Sequence, residues 1–156
     1  MVVLAGVFLH LTVAVSGFFL ALIDAKEHRL PDRGTYSTAV IVGVLALVHN
    51  DAERLQQALY AGVASGLFMC ALAMLPSRPL GWGDVKLQVV LGFYLGWWFP
   101  PLVVVQVLGA FVLGGVAALW LVFRRQVDMR DPIAFGPAMI SATWLAVALG
   151  KSCEII

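Results

Sequence analysis

Charged residues are scarce in this chain. Asp, Glu, Lys and Arg make up 12% of its 156 residues, against 62% hydrophobic residues and a mean hydropathy of +0.95. A typical soluble domain carries roughly 25% charged residues. A water-soluble fold of this length cannot hide so much apolar surface in one core, so lipid must be the solvent for most of it. Cysteine is also nearly absent. Cys70 and Cys153 are the only two, and with no CxxC pair and no Cys/His spacing they build neither a disulfide framework nor a zinc site. No Ser-rich or Pro-rich linker and no low-complexity run divides the sequence, so residues 1–156 read as a single domain. No basic segment precedes the first apolar run and further runs follow it, so a cleaved signal peptide is not expected.

What is present is a series of apolar runs, at residues 2–23, 36–49, 58–75, 87–99, 102–123 and 134–150. Crossing about 30 Å of hydrocarbon takes roughly 20 helical residues. The first, third and fifth runs meet that length, and the other three are short. The expected fold is an all-α membrane protein of about six transmembrane helices. Of the ten Lys and Arg residues, eight (Lys26, Arg29, Arg33, Arg78, Lys86, Arg124, Arg125 and Arg130) fall in the segments following the first, third and fifth runs, leaving Arg54 and Lys151 opposite. Short basic loops stay cytoplasmic. The termini are therefore expected outside, the basic loops inside, and the protein multi-pass in the inner (cytoplasmic) membrane. His49-Asn-Asp-Ala-Glu-Arg54 and Pro100-Pro101 are the outer turns, and Pro100 ends the fourth span at Phe99.

Two acids stand at the cytoplasmic edge. Asp24 ends the first run, and Asp84 follows Gly81-Trp82-Gly83 ahead of the fourth. Each has an ordinary reading: Asp24 as a solvated helix end, Asp84 as an N-cap. As a pair they can also activate water, one as general base and the other as general acid. Helix-end electrostatics would put the proton on Asp24, at a negative helix end, and the charge on Asp84, at a positive one.

Leu22-Ile-Asp24, Arg29-Leu-Pro-Asp32, Gly81-Trp-Gly-Asp84-Val-Lys86-Leu87 and Phe135-Gly-Pro137, in that order, resemble the type IV prepilin peptidase family of GxGD membrane aspartic peptidases. The resemblance implies that Asp24 and Asp84 are the catalytic dyad. It implies a hydrolase that removes the short basic leader of prepilin or pseudopilin precursors at the cytoplasmic face, as in type IV pilus assembly. Large members carry an added cytoplasmic segment with paired cysteines and methylate the new N-terminus. This chain resembles the compact, peptidase-only branch, so N-methylation is not expected. No cofactor, metal or nucleic-acid partner is expected either; the partners are the protein substrate and the lipid bilayer.

Around the dyad, Gly81 and Gly83 allow a tight turn and close approach of another chain. Lys86 either tunes Asp84 and touches substrate or reaches lipid phosphate. Phe135, Gly136 and Pro137 either line the cleft as an unwound helix start or simply begin the sixth span. Pro31 and Asp32 are read as a structural turn, with Asp32 or Thr35 capping the second helix. Trp82, Trp97 and Trp98 suit interfacial belts, and His10 is read as a buried or helix-contacting histidine. Two other classes of function stay open: a small transporter or channel using membrane-edge acids, and a non-catalytic scaffold of a pilus or secretion assembly. The first would place acids at mid-span, where this sequence has none. The second is disfavoured by the presence of both acids.

Overall fold

The computed structural model describes residues 2–27, 32–75, 80–124 and 134–152. They form six helices: α1 (Val2–Glu27), α2 (Asp32–His49), α3 (Ala52–Ala73), α4 (Trp82–Trp98), α5 (Pro101–Phe123) and α6 (Gly136–Ser152). No strand occurs among the described residues. Each apolar run has become one helix. By length and composition, three helical stretches can cross a membrane: Gly6–Lys26, Ala52–Ala73 and Pro101–Phe123. The protein is a helical membrane protein on that evidence.

The helix ends follow from local chemistry. Asn50 takes a left-handed conformation, φ 52°, which Asn tolerates better than most residues, and this breaks α2 from α3. Asp51 then caps α3, its Oδ1 accepting the Arg54 N–H at 3.1 Å. At the next outer turn Phe99 is extended ahead of Pro100, and Pro101 opens α5. A residue before proline disfavours the helical region, so α4 stops where the sequence predicts.

The short helix α4 differs from the long ones in where it sits. Of the 17 residues of α4, Asp84, Val85, Leu87, Gln88, Val90, Leu91, Gly92, Tyr94, Leu95, Gly96 and Trp97 are all buried. A helix surrounded by protein has no need of a lipid-facing length of apolar side chains. It packs chiefly on α3, and α5 chiefly on α6, while α1 rests on α2 and α6. The α3–α4 contact is close because small residues face each other. A Cβ on Gly92 would strike Ser65 Oγ and the Ala61 carbonyl, and one on Gly62 would lie 2.9 Å from the Val89 carbonyl. The Gly62–Gly66 spacing is thus used within the chain, as small-residue helix contacts in lipid commonly are.

Two aromatic expectations change. Trp97 is fully buried, with its ring 5.4 Å from that of His49, and so is no belt residue. Trp98 is half-buried and stacks on His10 at 4.7 Å. His10 Nδ1 also hydrogen-bonds the Tyr94 hydroxyl, which makes it the helix contact expected. Trp82 stays exposed. Cys70 is half-buried.

Candidate active site

Four helix ends gather at one end of the bundle: the last turn of α1 and the starts of α2, α4 and α6. Asp84 lies in the first turn of α4, ahead of the apolar run 87–99, and is 9% exposed. Its Oδ2 accepts the Gly81 N–H at 3.1 Å, and the Gly81 carbonyl accepts the Asp84 N–H, also at 3.1 Å. This closed ring is what holds the Gly81-Trp-Gly-Asp84 turn. Gly81 is exposed and Gly83 half-buried.

Asp24 is 4% exposed and sits in the last turn of α1, which runs on to Glu27. Its Oδ2 accepts the N–H of Gly136, the first residue of α6, at 2.9 Å. Gly136 is buried and has no room for a side chain, because a Cβ there would lie 2.7 Å from that same oxygen. Asp24 thus meets the positive end of α6 as well as the negative end of α1. Both acids are held by a backbone N–H at a helix start, so the helix-end argument for leaving the proton on Asp24 loses its basis.

The two carboxyls act on each other. Burial pushes the Asp84 carboxyl up to about 6, the Gly81 N–H pulls it back, and the Asp24 charge pushes it up again. Desolvation and a like charge both disfavour the ionised form, as usual for paired buried acids.

The remaining site residues divide. Phe135 is half-buried, its ring 5.3 Å from that of Phe111 on α5, and it also packs on the cluster of Leu80 and Val85 at the start of α4. Pro137 is the second residue of α6 and half-buried. Lys86 does not turn to Asp84. Its Nζ pairs with Asp32 Oδ1 at 2.7 Å and lies 5.3 Å from the centre of the Tyr36 ring. Asp32 is the first residue of α2 and exposed, so this pair ties α2 to α4 at the rim of the site. Pro31 lies outside the described residues, as do His28, Arg29 and Cys153.

Sequence reasoning passed over a set of buried amides. Gln88 and Gln106 are both fully buried and pair reciprocally, at 2.9 Å and 3.3 Å. The available signal was position: Gln88 follows Asp84 by four residues and so shares its helix face. An apolar groove of about 600 Å³ between α3 and α5, lined by Tyr60, Ser65, Phe68, Val104 and Leu108 among others, includes none of the site residues. Its lining holds no carboxylate, histidine or cysteine, and the acids mark the site instead.

Paired buried carboxylates at the rim of a helical bundle define a candidate aspartic hydrolase site. Residues 11–123 match the model of the type IV leader peptidase family, and the chain belongs to that family. It is 37% identical to the prepilin leader peptidase/N-methyltransferase of Dickeya chrysanthemi over 142 residues, covering 85% of this chain and 46% of the relative. The protein of the same name from Pseudomonas putida is 37% identical over 136 residues, 84% of this chain and 46% of the relative. That from Pectobacterium carotovorum is 34% identical over 134 residues, 82% and 44% respectively. The chain therefore spans about half the length of the curated relatives it matches. No solved structure matches it.

Proposed function

We propose that this protein is a membrane aspartic endopeptidase. It removes the short basic leader of prepilin-like precursors at the cytoplasmic face of the inner membrane, with Asp24 and Asp84 as its dyad. The observation that carries this reading is the pair itself: two buried acids from α1 and α4, each pinned by a backbone N–H and each opposing the other's charge. Family membership supports the substrate class.

In the proposed reaction the ionised acid takes a proton from water, and the resulting hydroxide attacks the scissile carbonyl. The protonated acid donates to the carbonyl oxygen and stabilises the tetrahedral intermediate. That intermediate collapses as a proton passes to the leaving amine. The Asp84 carboxyl, raised to about 6, keeps a proton within the pair close to the operating pH, which suits two acids that share one proton and one charge. Gly81, Gly83, Phe135, Gly136 and Pro137 shape the cleft in this account. Lys86 and Asp32 brace its rim. We further propose six membrane crossings with both termini outside, in keeping with eight of ten Lys and Arg residues lying on the side of the acids.

The test is co-expression with a candidate prepilin. Leader removal should be lost in Asp24→Asn and Asp84→Asn variants that still insert, and unchanged processing in either overturns the assignment.

A further inference from the structure

The dyad depends on a join that the helix packing leaves thin. Asp84 rides on α4, which packs chiefly on α3; Asp24 is held by the first N–H of α6, which packs chiefly on α5. The buried amide pair lies in this join. Gln88 is one turn below Asp84 on α4, and its Nε2 donates to Gln106 Oε1 on α5 at 2.9 Å. Gln106 Nε2 donates back at 3.3 Å and makes a longer contact, 3.5 Å, to the carbonyl of Met139 on α6. Met139 is three residues beyond Gly136, about one turn below the N–H that holds Asp24. The bridge therefore runs one turn beneath both acids, from the helix carrying one to the helix anchoring the other.

Interhelical hydrogen bonds inside membranes contribute little to stability on average. Yet these two amides are buried where apolar side chains would pack as well. What an amide pair supplies and a leucine pair does not is direction: it fixes the axial register of α4 against α5 and α6. We propose that Gln88 and Gln106 are positioning residues for the dyad, setting the separation and orientation of Asp24 and Asp84. The inference rests on the reading of those acids as catalytic.

The experiment uses the full chain in proteoliposomes, with a peptide bearing a basic leader followed by an apolar helix. Gln88→Leu/Gln106→Leu removes the bridge without stranding one amide. Its kcat should fall by about ten- to a hundredfold, the cost of a small misplacement of catalytic groups, with KM unchanged. Its pH profile should also shift, because the separation of coupled acids sets their apparent titration. Thr143→Val deletes a buried hydroxyl that bonds the same Met139 carbonyl at 2.8 Å without bridging helices, and it should behave as wild type. A wild-type kcat and pH profile in the double variant overturns the proposal, and so does an equal loss in Thr143→Val. If the double variant does not accumulate, Gln106→Met is read by the same criteria. Asp24→Asn and Asp84→Asn run in parallel: cleavage surviving in them overturns the dyad reading. Cleavage lost in them but intact in the glutamine variant overturns this inference alone.

Discussion

Asp24 and Gly136, 112 residues apart, meet through a 2.9 Å hydrogen bond from the glycine N–H to the carboxylate Oδ2. The contact joins the end of α1 to the start of α6 and leaves no space for a Cβ on the glycine. Gly136→Ala should push the Asp24 carboxylate aside and lower the cleavage rate by about ten- to a hundredfold while the protein still inserts. Gly115→Ala, with nothing within 4 Å of its Cβ, is the matched control and should leave the rate unchanged. Rates measured on both in the same membranes check the claim.

The cleavage rate should be bell-shaped in pH. The pair must hold one proton and one charge, so with the Asp84 carboxyl at about 6 the rate should fall as pH rises past the loss of that proton, and fall again in acid when both carboxyls are protonated. Stability should depend on pH as well. A carboxyl whose folded-state pKa exceeds the unfolded value, about 3.9, stabilises the fold fully below that unfolded value and loses the contribution as pH rises through about 6. Melting temperatures of wild type and Asp84→Asn compared at pH 4 and pH 7 read this out: the wild type should lose stability with pH, and the variant should lose less.

Asp32 is a third acid near the site, but it belongs to an exposed ion pair with Lys86. Such solvent-exposed pairs contribute little and are screened by salt. Asp32→Asn should therefore leave the melting temperature close to that of the wild type and leave leader cleavage readily measurable. Loss of cleavage as complete as that expected of Asp24→Asn would move Asp32 into the chemistry.

The α3–α4 seam should be intolerant of added volume. Gly92→Val forces a side chain against Ser65 and the Ala61 backbone, an overpacking that typically costs about 1–3 kcal/mol. Thermal unfolding in detergent should show it, while Gly115→Val should unfold as wild type does.

Much of this architecture is legible in the chain alone. Apolar runs mark the six helices, Pro100 and Asn50 mark two breaks, and Asp24 and Asp84 stand out because charge is rare elsewhere. The residues that escape are those whose role comes from a distant partner. Trp97 reads as an interfacial residue until the bundle closes over it. Gly136 reads as part of a helix start, since nothing near it in sequence shows that Asp24 will fill the space beside it. Gln88 and Gln106 look like tolerated polar residues in apolar runs, because pairing across 18 positions is a tertiary event. The helix-end argument for a proton on Asp24 fell short for the same reason: it weighed each acid against its own helix, and Asp24 also meets the start of another.

The most direct test of the central claim is the cleavage rate of purified, reconstituted protein carrying Asp24→Asn, Asp84→Asn or both. If the acids work as one unit on one water, each single change should abolish nearly all of the rate and the double change should be no worse, since residues that act together are strongly non-additive. A single variant that keeps a substantial rate, or losses that simply multiply in the double variant, would contradict it.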